Sequence, residues 1–142
     1  MQSRSIVYHG RWLFSLVILV LGISVSSPAQ SKKQKPEACV LQFNTATTDY
    51  QSLLGGPPQT AGMEAGVIVL APSKSVGKHS TKNFEEMLVI LSGTGKLKIT
   101  GGTSLVLKKN VVTYCPPNTE HDVVNTGKTP LRYIYIAAKL GK

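Results

Sequence analysis

The chain of 142 residues is poor in aromatic and acidic side chains. Aromatic residues make up 6% of it, and only seven Asp and Glu oppose 16 Lys and Arg, which leaves a formal charge of +9. The lysines are scattered, and no basic stripe is interleaved with aromatic residues as binding of single-stranded nucleic acid requires. We therefore expect no nucleic-acid partner. Attraction to an acidic envelope surface or a simple solvated lysine surface accounts for the charge.

The sequence also lacks an apolar run long enough to cross a bilayer as a helix. Residues 12–25 are almost wholly apolar but number about 14, against the roughly 20 that a spanning helix needs. Arg4 and Arg11 make a positive start, and small residues follow the run, as in a secretory signal peptide. We interpret residues 1–29 as a signal helix that directs a secreted or periplasmic protein. The alternative is an uncleaved anchor, which would be the chain's one membrane contact.

What remains after the signal segment is enough for one domain. Residues 30–38 form a short polar leader that has nothing to bury, so we expect a flexible tether. Residues 39–142 form the domain. Loss of Arg4 and Arg11 lowers the charge of +9 by two, to +7.

No stretch after the leader shows a sustained period of 3.6 residues, which argues against helices. Short runs rich in Val and Ile alternate instead with turn residues, a pattern typical of antiparallel sandwiches and barrels. Residues 44–58 are predicted to be a long polar loop, and Gly101-Gly102 a two-residue hairpin turn. The strand candidates are 39–43, 63–70, the run after Glu86, 97–100, 104–107, 111–115, 121–125 and 131–138.

Cysteine is scarce, since Cys39 and Cys115 are the only two. Export would place both in an oxidising compartment, where an even pair can form a disulfide. The alternative is that each is a small buried apolar residue. A catalytic thiol is the least favoured of the three interpretations.

A first motif lies in the stretch GKHSTKNFEEMLVILSGTG. In a strand, Glu86 shares its face with Leu88, and a carboxylate that leads apolar residues into a core needs a metal, a cation or a proton. His79 precedes Glu86 by seven residues, and Gly93 follows it after six. This spacing resembles the first motif of the cupin superfamily, with Thr81 where that motif has its second His.

A second motif follows in NVVTYCPPNTEHDVVN. Pro116, His121 and Asn125 stand at the positions of the Pro, His and Asn in the second cupin motif. Asn110 and Asn118 replace its two glycines, and Asn is the side chain most tolerant of left-handed backbone angles. The two motifs in order make the resemblance fairly specific.

The resemblance implies a single antiparallel jelly-roll barrel whose two motifs face one another. It also implies that His79, Glu86 and His121 bind a divalent metal, for which Fe, Mn, Ni, Cu or Zn are suitable. Thr81 would line the pocket and hold a water or orient a substrate. Glu85, the strand neighbour of Glu86, should point to the opposite side.

Tyr133 and Tyr135 are two apart and share a face, so they line the pocket or, alternatively, only pack in the core. Single-domain cupins are often dimers, and the resemblance therefore predicts a homodimer. We expect its strands to pair near residues 39–43 or 63–70, at an open sheet edge.

Three functions fit these features. The first is a metalloenzyme with oxygenase, isomerase or lyase chemistry on a small molecule. The second is a barrel that binds a sugar or another small ligand without a functional metal. The third is an interaction domain, which would expose a large apolar patch and have no organised pocket. The fold alone does not decide between them.

Overall fold

The computed structural model describes residues 35–141. The predicted signal helix lies outside the described residues. Along 35–141 no helix is long and apolar enough to cross a membrane. The elements in this described part are nine strands: β1 (Tyr50–Gly55), β2 (Met63–Leu70), β3 (His79–Ser80), β4 (Phe84–Ser92), β5 (Thr94–Ile99), β6 (Ser104–Lys108), β7 (Val112–Cys115), β8 (Glu120–Asn125) and β9 (Leu131–Lys139).

The strands form two sheets, and every strand pairing is antiparallel. The five-stranded sheet has the order β1-β2-β9-β4-β7, and the four-stranded sheet has the order β3-β8-β5-β6. Strands distant in the sequence are therefore neighbours, as in a jelly roll. The all-β, antiparallel prediction is confirmed.

The core is made by the inward side chains of both sheets. In β4, Leu88 and Ile90 are buried, and in β8 every second residue, including Val123, is buried. This alternation follows from the period of two in a strand, which places residues i and i+2 on one face. The buried cluster therefore joins both sheets, with Leu97 of β5 and Tyr133 of β9 among its members.

Two predictions about the beginning of the domain were wrong. Residues 39–43 form no strand, and Val40 is 97% exposed. The first strand, β1, lies instead inside the stretch 44–58 that was predicted to be a loop. Apolar side chains alone did not make a strand at 39–43, because a strand needs a partner for its backbone groups.

The hairpin between β5 and β6 also differs from its prediction. Its loop runs over four residues, 100–103, and is not the two-residue turn that Gly101-Gly102 indicated. Gly101 nevertheless has a φ of +72°, which is a backbone angle that favours glycine.

The turns of the two motifs have the expected geometry. Asn110 and Asn118 adopt φ angles of +67° and +57°, so each Asn does take the left-handed conformation of the glycine it replaces. Gly93 has a φ of +82°, and a Cβ there would lie 2.7 Å from the Cα of Leu131. Only glycine fits at this turn between β4 and β5.

The sheet edges are not where the dimer prediction placed them. Strand β2 lies between β1 and β9, so residues 63–70 already have partners on both sides. In the described part of the chain, β1 and β7 end the five-stranded sheet, and β3 and β6 end the four-stranded sheet. Residues 63–70 therefore offer no free edge to a second copy, and pairing of two copies through 39–43 stays a prediction.

Candidate metal centre

Three side chains that can bind a metal meet at one end of the domain. Glu86 comes from β4 in the five-stranded sheet, whereas His79 of β3 and His121 of β8 come from the four-stranded sheet. The two histidines are paired directly across β3 and β8. The cluster therefore depends on both sheets, as the two motifs predicted.

The distances within the cluster are short. One ligand atom from each residue lies within 4.8 Å of the others, and the ring centroids of His79 and His121 are 4.4 Å apart. His121 is buried, the Glu86 side chain is 13% exposed, and His79 is exposed. This arrangement gives a centre with a buried side and an open side.

Backbone carbonyls orient both imidazoles. The Nδ1 of His79 lies 2.8 Å from the Gly77 carbonyl oxygen, and the Nδ1 of His121 lies 3.2 Å from the Thr119 carbonyl oxygen. Because a carbonyl oxygen only accepts hydrogen bonds, each Nδ1 must donate. The neutral rings then keep a lone pair on Nε2, which is the usual arrangement for histidine ligands.

Glu86 and His121 bring two acceptor atoms face to face. The Oε2 of Glu86 lies 3.0 Å from the Nε2 of His121, yet both buried atoms lack a partner with hydrogen-bond geometry. With a neutral His121, two lone pairs would repel each other, so this contact needs a proton or a cation. The Glu86 carboxylate indeed raises the pKa of His121 above its ordinary value of 6.5, although burial acts in the opposite direction.

The residues present therefore fit a divalent transition metal. Two imidazole nitrogens and one carboxylate oxygen are a donor set that such ions accept, with coordination positions left open. The buried Glu86 oxygen and His121 nitrogen are left without other partners, as expected of ligand atoms.

Glu85 lies on the other face of β4. Its carboxylate accepts a hydrogen bond of 3.2 Å from the hydroxyl of Tyr114, which is exposed on β7. Glu86 and Glu85 therefore differ in environment, as the alternation of a strand requires.

Thr81 reaches the same pocket, but its hydroxyl is occupied. The Oγ1 donates to the Pro116 carbonyl oxygen and accepts from the Thr119 amide, each at 2.9 Å. Thr81 is buried. Its hydroxyl thus joins the turn between β3 and β4 to the turn before β8, and both of its hydrogen bonds are made within the protein.

The two predicted pocket tyrosines lie at different depths. Tyr133 is buried in the core, and burial raises its pKa strongly. Tyr135 is half-buried, and its hydroxyl lies 3.2 Å from that of Tyr50. Burial and this hydrogen bond raise the pKa of Tyr135, and the carboxylates of Glu64 and Glu86 add to the effect. In the pairing of β4 with β9, Tyr135 lies nearer to Glu86 than Tyr133 does.

Tyr50 was missed because it lay in the predicted loop. Its ring stacks on Tyr135 with centroids 6.5 Å apart. The two rings meet over Gly66, where a Cβ would come within 2.9 Å of both. A tyrosine pair over a strand glycine is a feature that only strand register reveals.

The cysteines are free in the structure: Cys39 is exposed and Cys115 is buried. Cys115 is the cross-strand neighbour of Glu86. Burial, together with the Glu86 carboxylate, raises the pKa of the Cys115 thiol to about 11, so it is neutral at ordinary pH. A disulfide between Cys39 and Cys115 stays a prediction.

Glu64 was not among the predicted site residues. This residue lines the cavity of about 150 Å³ beside the histidines. A signal was present, since Glu64 shares its strand face with Gly66 and Ile68, but nothing marked that face as the inner one. The cavity is lined by Glu64, His79, Ser80, Thr81, Phe84, Glu86 and Ala137.

Comparison with known proteins identifies the family. The family model described as a cupin domain matches residues 66–137, about half of the chain. No curated protein matches the chain.

Solved structures show the same fold. A cupin 2 conserved barrel domain protein from Salinispora arenicola is 22% identical with a TM-score of 0.59, over 72% of this chain and 90% of that one. A Thermotoga maritima protein described as a predicted oxalate decarboxylase is 20% identical with a TM-score of 0.54, over 72% of this chain and 100% of that one.

A third similar structure is the Cnp3 cupin domain of Schizosaccharomyces pombe. It is 23% identical with a TM-score of 0.58, and the match covers 64% of each chain, so this chain spans less than two thirds of that protein. At these identities the likeness establishes the fold.

Proposed function

Because the chain belongs to the cupin domain family, we propose that it holds a divalent transition-metal ion through His79, Glu86 and His121 and presents it to a small molecule. One observation carries the proposal. The buried Glu86 oxygen and His121 nitrogen face each other at 3.0 Å without hydrogen-bond geometry, so they need a shared positive charge.

The protein's own residues prepare the centre. The carbonyls of Gly77 and Thr119 orient the two imidazoles, and His121 and Glu86 are largely shielded from water. His79 lies on the exposed side, where a ligand can enter. When bound, the ion supplies Lewis-acid or oxygen-activating chemistry, which suits an oxygenase, an isomerase or a lyase. Glu86 then acts as a metal ligand and is not the general base of the reaction.

Metal analysis tests this function. Protein purified without chelator should contain close to one transition-metal ion per chain, as measured by inductively coupled plasma mass spectrometry. Added Mn²⁺, Co²⁺ or Zn²⁺ should raise the melting temperature of metal-free protein, because binding to the folded state stabilises it. Protein that retains no metal and melts unchanged with every added ion contradicts the proposal.

A second candidate function rests on the tyrosine pair. Tyr50 is 53% exposed, and its ring stacks on that of Tyr135. The two hydroxyls lie 3.2 Å apart in an exposed contact. Aromatic rings with polar ends suit a sugar or a similar neutral ligand, as a binding module without a functional metal would need. Ligand binding that survives complete metal removal, and that is lost in Tyr50→Ala, would favour this function over the first.

We further propose export. The support is the charged start, the short apolar run and the small residues in 1–29. Amino-terminal sequencing of protein recovered outside the cytoplasm should find Gln30 as the first residue. Membrane-bound protein that still carries residues 1–29 would favour the uncleaved anchor instead.

A further inference from the structure

We propose that the carboxylate of Glu64 selects against anionic ligands, and so in favour of neutral ones, at the metal centre. This inference rests on the proposed function, since it concerns the ligand class of the same centre. Glu64 belongs to the wall of the cavity, but it is not one of the three clustered ligand residues.

The strand register places Glu64 on the same side as the ligand Glu86. Ala137 of β9 is paired with Glu64 on one side and with Glu86 on the other. Directly paired residues point to the same face, and adjacent strands are about 4.8 Å apart, so the two glutamate backbones are separated by about 10 Å. The small Ala137 side chain between them leaves the space open.

The turn after β1 limits where the Glu64 side chain can go. Gly56 is buried with a φ of +80°, and a Cβ on it would lie 3.4 Å from both the Cγ and an oxygen of Glu64. Glu64 thus lies against this turn, on the wall of the cavity. Half-buried, it has less water to screen its charge than a fully exposed carboxylate.

No cation compensates Glu64 in the described part of the chain. The residues that line the cavity include no Lys and no Arg. Neither ion pair found within 4.0 Å in residues 35–141 involves Glu64, because Lys78 pairs with Glu120 and His121 with Glu86. Lys139 lines a separate groove beside Cys39.

The charge balance gives the selection its direction. A divalent ion with two neutral imidazoles and the Glu86 carboxylate carries a net charge of +1, which attracts anions. The Glu64 carboxylate cancels that charge, and the cavity as a whole becomes neutral. A carboxylate ligand therefore loses most of its electrostatic attraction, whereas a neutral nitrogen or hydroxyl ligand is unaffected.

A titration of the Co²⁺-loaded protein tests the inference with oxalate and neutral imidazole as probes. The visible absorption of the ion reports ligand binding without any assay of activity. The variant is Glu64→Gln, and Glu85→Gln is the matched control, since it removes the same charge on the opposite face. We expect Glu64→Gln to bind oxalate about tenfold more tightly, as one charge at this range allows. Imidazole affinity should stay within about twofold, and Glu85→Gln should match the parent protein for both probes.

Equal oxalate affinity in the parent protein and Glu64→Gln overturns the inference, and so does an equal gain in Glu85→Gln. If Glu64→Gln does not fold, Glu64→Ala removes the same charge and takes its place. Protein that binds no Co²⁺ overturns the proposed function itself, whereas normal Co²⁺ binding with unchanged oxalate affinity overturns the ligand selection alone.

Discussion

The Oε2 of Glu86 and the Nε2 of His121 lie 3.0 Å apart between strands of two different sheets, and neither atom has another partner. The first strand comes from one motif and the second from the other. Whatever positive charge joins these atoms also joins the two halves of the domain. The centre and the fold are therefore energetically coupled.

Loss of a metal ligand should reduce affinity strongly. We expect Glu86→Ala and His121→Ala each to weaken Zn²⁺ or Co²⁺ binding by more than about 100-fold, since even supporting groups outside the ligand set contribute about 10–100-fold. Glu85→Ala should bind like the parent protein, because its carboxylate faces Tyr114. Competition with a chromophoric chelator measures all three affinities. Equal losses at Glu85 and Glu86 would contradict the assignment of the ligand.

The metal-free protein should lose stability as pH rises. The pKa of His121 is raised in the folded state by Glu86, so its contribution to the free energy of unfolding is fully present below 6.5, its ordinary pKa. That contribution is lost as pH rises through the raised value. Urea unfolding of metal-free protein across this range should show the decline, and His121→Asn should remove it. A free energy of unfolding that rises over the same range would contradict the expected sign.

Metal binding should have the opposite pH dependence. The ion needs the neutral His121 and displaces its proton, so affinity should increase as pH rises through the raised pKa of that residue. Calorimetry in buffers of different ionisation enthalpy counts the released protons. Binding at pH below 6.5 without proton release would show that His121 is not a ligand.

Thr81 should stabilise the fold through its hydroxyl. Thr81→Val keeps the shape but removes two part-buried hydrogen bonds, to the Thr119 amide and the Pro116 carbonyl, at a cost of about 0.5–1.5 kcal/mol in the free energy of unfolding. Thr81→Ser keeps the hydroxyl and serves as the control. Chemical denaturation of both variants measures the difference, and equal stabilities would show that the hydroxyl has no structural role.

Gly66 should not tolerate a side chain. A Cβ there would lie 2.8 Å from Tyr135, 2.9 Å from Tyr50 and 2.9 Å from the Gln51 carbonyl oxygen. We expect Gly66→Ala to destabilise the domain by about 1–3 kcal/mol, as overpacking does. Gly55→Ala is the matched control in the neighbouring strand, where the nearest atom is 3.9 Å away. Thermal unfolding compares the two, and a stable Gly66→Ala would contradict the tyrosine packing.

The expected homodimer stays a proposal, and the structure offers a contact surface for it besides residues 39–43. The outer face of the five-stranded sheet exposes four large apolar side chains, Met63, Met87, Val112 and Tyr114. Contiguous exposed apolar patches mark protein interaction sites. Light scattering should therefore find a dimer that Met87→Lys dissociates. Val106→Lys, on the other sheet and 66% exposed, is the control that should leave it intact.

Much of the fold was predictable because strand period and turn chemistry are local. The bounds of β2 were predicted as observed, at 63 and 70. The motif asparagines took the left-handed angles that their side chains permit. The two histidines and the carboxylate of the cluster were predicted from the resemblance to two cupin motifs, whose spacing fixes their positions along the chain.

Pairing between distant strands was not predictable from local pattern. Residues 39–43 look more like a strand than 50–55 do, yet β1 forms at 50–55, where it pairs with β2 and where Gly66 leaves room for the Tyr50 ring. Glu64 joins the cavity because Ala137, over 70 residues away in the chain, lies between it and Glu86. The sequence by itself determined which residues can bind a metal and most of the segments that form strands. The tertiary structure decided which faces meet, because a strand's inner face is set by its hydrogen-bonded neighbours and not by its own residues.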